Sequence, residues 1–480
     1  MGRIETDICV IGAGAGGLTV AAGASQMGAD TVLVEKGLMG GDCLNYGCVP
    51  SKALISAARA AEAVRGAARF GIAAGPPEID FGRVNDHLRG VIAAIAPQDS
   101  EERFRGLGVN VIQAAARFTG RAEIEAGDHR IRARRFVVAT GSQPLVPPIP
   151  GLDGVPFLTN RNIFELRQAP EHLIVIGGGP IGVELAQAHG SLGSRVSIVE
   201  MFGILGRDDP ELAAVVAARL RQGGIEVLEN AQVSNLAAVT GEAGTLKVTV
   251  ERQGQTLELT GSHLLVAVGR EADLAELDLE RAGIEHSTAG IAVDRRLRTS
   301  NRRVFAIGDA AQGPQFTHAA AYQAGIVLRN ALFRLPARVD YRALPHVTYS
   351  RPELAQVGLT EAEAKQKQGG GQGAIRVLRW PLAENDRAHT EGEHDGLIKV
   401  LTSRRGRILG AGIVTPQAGE LIQPWVLAIG QRLGIGAMAG LIAPYPTLGE
   451  IGKRAAGSFY AAKLFSERSR KLVRLLARLG

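Results

Sequence analysis

The stretch DICVIGAGAGGLTVAAGASQMGADTVLVE, Asp7 to Glu35, decides the fold. Its run from Asp7 to Ile11 reads as a buried strand. The loop Gly12-Ala-Gly14-Ala-Gly-Gly17 follows, then an alanine-rich segment helical to about Met27 and a second strand, Thr31 to Val34, ending at Glu35. Strand, glycine loop, helix and strand make a βαβ unit, with the acid eighteen positions beyond the last glycine of GxGxxG. Gly12 permits the tight turn, Gly14 lets backbone approach a pyrophosphate, and Gly17 lets the helix pack on the strand. The helix N-terminus turns its partial positive charge to the phosphates, and Glu35 is placed to accept from ribose hydroxyls.

The construction recurs 165 residues later. A strand from His172 to Ile176 leads into Gly177-Gly-Gly179-Pro-Ile-Gly182, a helix, and a strand Val196 to Val199 that ends at Glu200. Two complete fingerprints imply two dinucleotides. Between them a strand from Arg135 runs into Ala139-Thr140-Gly141-Ser142 and a proline-rich crossover. Leu264 to Arg270 repeats that strand-then-glycine pattern around Gly269, and the run Thr299 to Asp309 is followed by a helix from about His318 to Leu332. From Pro345 onward strands such as Gly396 to Leu401 and Ile408 to Val414 alternate with helices. The expected division is 1–150 and 271–344 for the first dinucleotide, 151–270 for the second, and 345–480 for an α+β domain.

Just beyond the first fingerprint lies GGDCLNYGCVPSK, Gly40 to Lys52, with Cys43 and Cys48 five positions apart. A nucleotide site says that electrons arrive, and an adjacent dithiol says where they go. A zinc site needs more thiolates than this chain offers, because its third cysteine, Cys9, sits in an apolar run. A structural disulfide does not suit a chain that opens on a strand with no secretory signal. In a regular helix, positions five apart rise ~7.5 Å, beyond the ~7 Å limit on Cα separation for a disulfide. The segment must therefore kink, and Gly47 is placed to allow it. Lys52 would lower the pKa of a nearby thiol.

Composition bounds the rest. The 480 residues are 45% hydrophobic with 62 glycines, as in an α/β enzyme rich in tight turns. No apolar run reaches the ~18–20 residues that span a bilayer, and the cytoplasm is the expected compartment. Gly2 and Thr6 fit a loose myristoylation pattern, set aside because strand follows at once. Of the net charge of +6, +4 lies in residues 466–480. The basic balance is thus a tail property. Basic and aromatic residues are not interleaved, so no nucleic-acid partner is expected.

Together these motifs resemble the pyridine nucleotide-disulfide oxidoreductases, the two-dinucleotide flavoproteins that include glutathione reductase, lipoamide dehydrogenase and mercuric reductase. The resemblance covers nearly the whole chain. It rests on both fingerprints, GGDCLNYGCVPSK, ATGS, TSNRRVFAIGDA and SRPELAQVGLTEAE. It implies FAD on the first fingerprint, NADH or NADPH on the second, and a homodimer built on the C-terminal domain. It further implies that Cys48 is the flavin-proximal thiol, which forms a charge-transfer thiolate, and that Cys43 is the interchange thiol. Asp309 would hold the ribityl chain, and Lys52, paired with Glu184, would stand near flavin N5. The helix entered near His318 would aim its positive end at the flavin N1 edge.

The C-terminal domain departs from part of that family. Glutathione reductases and lipoamide dehydrogenases carry His-Pro-Thr-x-x-Glu there. This chain reads Ala443-Pro-Tyr445-Pro-Thr-Leu-Gly-Glu450, and its last histidine is His394. A histidine near pKa ~6.5 takes a thiol proton at neutral pH, and a tyrosine near ~10 does not. Tyrosine can donate a hydrogen bond, contact a metal, or simply pack. Mercuric reductases carry tyrosine in this setting, which Pro444, Tyr445, Thr447 and Glu450 reproduce, and Gln417 to Gln423 also resembles theirs. Their usual C-terminal cysteine pair is missing, since no cysteine follows Cys48. No resident metal is expected.

The expected reaction is FAD-dependent reduction of a small disulfide or soft metal ion by NADH. Lipoamide dehydrogenase is the alternative, and a membrane-docked redox partner or sensor a third reading. Glu200 favours NADH because a carboxylate accepts from a 2′-hydroxyl and repels a 2′-phosphate, with Arg207 close by as a counter-signal. In the tail, Leu472, Leu475, Leu476 and Leu479 share one helical face, with Arg470, Arg474 and Arg478 elsewhere. Its short length favours packing on the dimer or a partner protein over an anionic membrane.

Overall fold

A computed structural model describes residues 2–239, 244–367 and 375–479. The chain divides into two compact units, one of residues 1–201 with 230–340, the other of 202–229 with 341–480.

The first unit is built on a seven-stranded sheet. Strands β1 (Gly2–Ile11), β2 (Thr31–Glu35) and β3 (Asn110–Gln113) run parallel. β4 (Ala116–Gly120), β5 (Glu123–Ala126) and β6 (His129–Val138) form an antiparallel meander whose last strand returns parallel to β1. Ile11 therefore lies in register with both Val34 and Val138. Cys9, Val10, Leu33, Phe136 and Val137 are fully buried. Strands covered on both faces read as continuous apolar runs, and this is why Asp7 to Ile11 was legible.

The second fingerprint forms its own parallel set. β7 (His172–Ile176) lies between β8 (Arg195–Glu200) and β9 (His263–Val266). β10 (Val304–Ala306) then pairs parallel with β6. An antiparallel sheet, Ala231–Ala238, Leu246–Arg252 and Gln255–Gly261, completes the unit.

The second unit holds a five-stranded antiparallel sheet in the order Pro345–Thr348, Glu353–Gly358, Ile408–Thr415, Leu397–Ser403, Ile375–Pro381. Its core packs around the buried Trp425. The helix Pro210–Gln222 belongs here because Leu212 fills the space that a side chain at Gly412 would take, 2.3 Å from that glycine's ideal Cβ. Lys399, buried, pairs with Asp209, Glu211 and Glu361 at 2.7–2.9 Å. These charges satisfy one another, which makes burying the lysine tolerable. The helix Glu467–Leu476 buries no residue.

Candidate active site

Both fingerprints meet the steric demands read from the sequence. Gly12 has φ +104°, and a Cβ there would lie 2.4 Å from Ala139 O. A Cβ on Gly17 would lie 1.8 Å from Gly12 O, so α1 (Ala15–Gln26) packs on the loop only without a side chain. In front of Gly14 there is nothing within 4 Å, a cradle that a Cβ would fill and a pyrophosphate fits. Ala13 N donates to Glu35 Oε2 at 2.6 Å and Gly37 N to Glu35 Oε1 at 2.7 Å, so the carboxylate also ties its loop shut. Thr140 Oγ1 is buried with no hydrogen-bond partner among the described residues. An orphaned buried hydroxyl beside an open glycine cradle marks a ligand's place. Gly141, at φ +75°, likewise faces open space. These residues fit FAD.

The second fingerprint repeats this. Gly177 has φ +112°, and a Cβ there would lie 2.4 Å from Ala267 O, while a Cβ on Gly182 would lie 2.0 Å from Gly177 O. Gly179 and Gly269 face open space, and Gly178 N donates to Glu200 Oε2 at 2.6 Å. These residues fit a nicotinamide dinucleotide.

The dithiol segment is two helices with a break. α2 (Gly41–Asn45) carries Cys43, and α3 (Cys48–Arg65) begins on Cys48. Between them Tyr46 and Gly47 leave helical geometry, as the disulfide limit requires. Gly47 serves by its size: its φ is −128°, and a Cβ would press on Asp42 O at 2.9 Å and on Cys43 Cα at 3.2 Å. Both cysteines are free thiols, Cys43 half-buried and Cys48 exposed.

The two sulfurs are electrostatically unequal. The Cys43 thiol beside it, above all, pulls the Cys48 pKa down to about 6, assisted by Thr317 and Lys52 against burial and Glu184. Cys43 moves the other way, because its proton serves the neighbouring thiolate and burial disfavours its charge. Cys48 Sγ lies 3.6 Å from Thr317 Oγ1, at the first turn of α5 (Thr317–Ala331), the helix that follows α4 (Pro180–Ser191) among those that frame the site. The positive end of α5 thus points at the sulfur that carries the negative charge. Lys52 Nζ meets Glu184 Oε2 at 2.6 Å. That carboxylate is only 7% exposed, and the lysine offsets part of the cost of burying its charge.

Four residues of this site were not singled out in the sequence. Arg270 donates to Ser142 Oγ at 2.7 Å and to Ser142 O at 2.9 Å, and pairs with Asp42 at 3.2 Å. Ser142 Oγ in turn donates to Asp309 Oδ2 at 2.6 Å. Burial raises the Asp309 carboxyl above its usual range, against the pull of Ser142 and Arg270. Asn160 donates to Asp42 Oδ1 at 3.2 Å and to Tyr46 O at 3.1 Å, bracing the kink. Thr317 is the fourth. Only Arg270 had a signal, the second strand-then-glycine pattern that ends on it.

In the second unit Tyr445 is 69% exposed and donates its hydroxyl proton to Asp386 Oδ2 at 2.9 Å. That bond raises the Tyr445 pKa above the ordinary tyrosine value. Glu450 opens the helix Glu450–Leu464. Asp386 is a further residue that the sequence did not mark.

Two dinucleotide cradles and a dithiol with one stabilised thiolate define a flavoprotein disulfide reductase. The chain belongs to the pyridine nucleotide-disulphide oxidoreductase family, which it matches over residues 6–324, with that family's dimerisation domain over 344–456. It is an FAD-dependent enzyme of a family that uses FAD with NADH or NADPH. It is 35% identical over 462 residues to a mercuric reductase of Streptomyces lividans, covering 94% of this chain and 96% of that protein. It is 37% identical over 462 residues to a dihydrolipoyl dehydrogenase of Geobacillus stearothermophilus, with the same coverage. Among solved structures it resembles the Cu(II) complex of the HOCl-induced flavoprotein disulfide reductase RclA from Escherichia coli. The TM-score is 0.83 at 27% identity, over 93% of this chain and 99% of that one. Among the described residues no helix is long and apolar enough to cross a membrane, and no cluster of three or more His, Cys, Asp or Glu could hold a metal ion.

Proposed function

We propose that the protein uses NADH to reduce a soft metal ion or a small disulfide at Cys43 and Cys48, in the manner of a mercuric reductase. The observation that carries this reading is Tyr445 bonded to Asp386 where a histidine base would stand. Bound in the first cradle, FAD supplies the two-electron relay between nicotinamide and dithiol. The four segments read from the sequence are the proposed division of labour, with Gly177, Gly179, Gly182, Glu200 and Gly269 serving the nicotinamide.

With a disulfide substrate, Cys43 attacks one sulfur as its own proton passes to the other, which leaves as a thiol. Cys48, ionised above about pH 6, then attacks Cys43 Sγ. This releases the second thiol and leaves Cys43 and Cys48 joined, two electrons having passed to the substrate. With a soft cation, the two sulfurs bind it as thiolates, and the net change is NADH plus the divalent ion to NAD⁺, a proton and the zero-valent metal. Lys52 and Glu184 hold the cationic side of the site. In a homodimer, Tyr445 and Glu450 of the partner subunit would line the pocket. The copper complex of RclA and the mercuric reductase relatives support a metal substrate. A cytoplasmic setting, where thiols stay reduced, suits the chemistry.

The dihydrolipoyl dehydrogenase at 37% identity supports the second reading, oxidation of dihydrolipoyl groups with NAD. That reaction requires removal of a thiol proton, which a tyrosine raised above its ordinary pKa does poorly at neutral pH. Anaerobic reduction with NADH, followed by reoxidation with Hg(II), Cu(II), lipoamide or glutathione disulfide, separates the readings. Rapid reoxidation by a metal ion and slow reoxidation by lipoamide is expected. Rapid turnover with lipoamide would overturn the metal reading and leave Tyr445 a packing residue.

A further inference from the structure

We propose that the helix Glu467–Leu476 is an anchor that lays its apolar face on an anionic lipid surface. Ser466 begins it anew after Phe465, its Oγ accepting from Ser469 N at 3.3 Å. Leu472, Leu475, Leu476 and Leu479, together with Phe465, are 54–77% exposed. At helical spacing the four leucines share one face. Arg470, Arg474 and Arg478 occupy the opposite one, and Lys471 flanks it.

Such a helix does not stand alone. Ten residues with no tertiary packing fall below the ~12–15 at which even good helix formers are marginal in water. The protomer buries no residue of it, so the surface that stabilises it lies elsewhere. A second copy is a poor match. The match to the family's dimerisation domain ends at residue 456, before this helix begins. Pairing two copies would also bring together two segments of charge +4 each. An anionic bilayer satisfies both halves of the pattern. The leucines enter the acyl boundary while the guanidinium groups reach headgroup phosphates. The attachment is peripheral and weakened by salt. The proposal does not depend on which substrate the dithiol reduces.

The test uses the full-length flavoprotein and sedimenting vesicles, either of phosphatidylglycerol mixed with phosphatidylcholine or of phosphatidylcholine alone. At about 0.1 M salt, at least ~10-fold more protein is expected in the pellet with the anionic vesicles, and high salt should release it. The double variants Leu475→Asp/Leu476→Asp and Arg470→Glu/Arg474→Glu should each lose that excess while keeping the flavin spectrum and turnover that show an intact fold. Equal sedimentation with and without anionic lipid overturns the proposal. So does binding that survives the leucine changes. A drop in solution mass for the leucine variant would also overturn it and assign the face to a second copy.

Discussion

The two glycine fingerprints are nearly superimposable in their constraints and differ in what lies over them. Each has a first glycine at positive φ against a carbonyl 2.4 Å from its ideal Cβ, a middle glycine facing open space, and a glutamate that accepts a loop amide at 2.6 Å. Over the first cradle, however, the dithiol segment is tied down. Gly40 N donates to Ala13 O at 3.0 Å, and a Cβ on Gly41 would lie 2.7 Å from Gly14 Cα. At the corresponding place in the second cradle, Gly178 O receives no backbone hydrogen bond among the described residues. One loop is roofed by the groups that do the chemistry and the other is left open. On the proposed assignment the same local motif serves a retained flavin in one cradle and an exchanging nicotinamide in the other, and the nearby thirteen-residue dithiol segment makes the difference.

The largest break in that comparison should come from Gly17→Val against Gly182→Val. The clashes are alike, 1.8 Å and 2.0 Å to a backbone carbonyl. Gly17→Val should yield no folded yellow protein. Gly182→Val should keep its flavin absorbance and lose reduction by NADH by about 100-fold, the equivalent of ~2.7 kcal/mol. Absorbance at the flavin maximum and anaerobic NADH titration read both. If the two variants fail alike, the slots are not independent.

Gly41→Ala tests the roof. A side chain at φ +60° costs about 1–2 kcal/mol before its collision with Gly14 is counted. Flavin should dissociate about 10- to 100-fold more readily, seen as fluorescence of the filtrate after ultrafiltration. Gly179→Ala should leave flavin retention unchanged, since its Cβ points into open space.

Lys52→Met reaches the roof's chemistry. Removing a cation that favours the Cys48 thiolate should move its ionisation upward from about 6 by about one pH unit. Alkylation by iodoacetamide, followed against pH, would then reach half-maximum at the higher value. A midpoint that stays put would leave Cys43 and the Thr317 helix terminus as the whole cause.

What could be read in the sequence divides along the same line. Gly12, Gly14, Gly17 and Glu35 were legible because backbone sterics confine them to one short stretch, and the kink at Gly47 followed from disulfide reach alone. Lys52 and Glu184 lie 132 residues apart, and only a resemblance to known enzymes joined them. Arg270, Asp42, Asn160 and Asp386 were missed because each acts through contacts to residues far away in sequence, and a lone polar residue leaves no periodic trace. The helix Pro210–Gln222 was read with the second fingerprint. Its grouping with residues 341–480 depends on Leu212 against Gly412 and on the charges around Lys399, which no local pattern announces.

The smallest expected effect is the most selective. Glu200 ends β8 and holds Gly178 N, so Glu200→Ala loosens the loop for either nicotinamide and raises both KM values. That shared loss cancels in the ratio of kcat/KM for NADH to kcat/KM for NADPH. What survives in the ratio is the 2′ position alone. There the carboxylate would accept from a hydroxyl and repel a phosphate, and a charged hydrogen bond of that kind contributes about 1.5 kcal/mol. The ratio should therefore fall by roughly tenfold. The matching change in the first cradle, Glu35→Ala, should leave the ratio untouched and weaken flavin retention instead. An unchanged ratio in Glu200→Ala would show that cofactor choice is made elsewhere on the open loop, and the likeness of the two acids would then extend only to tying down their glycines.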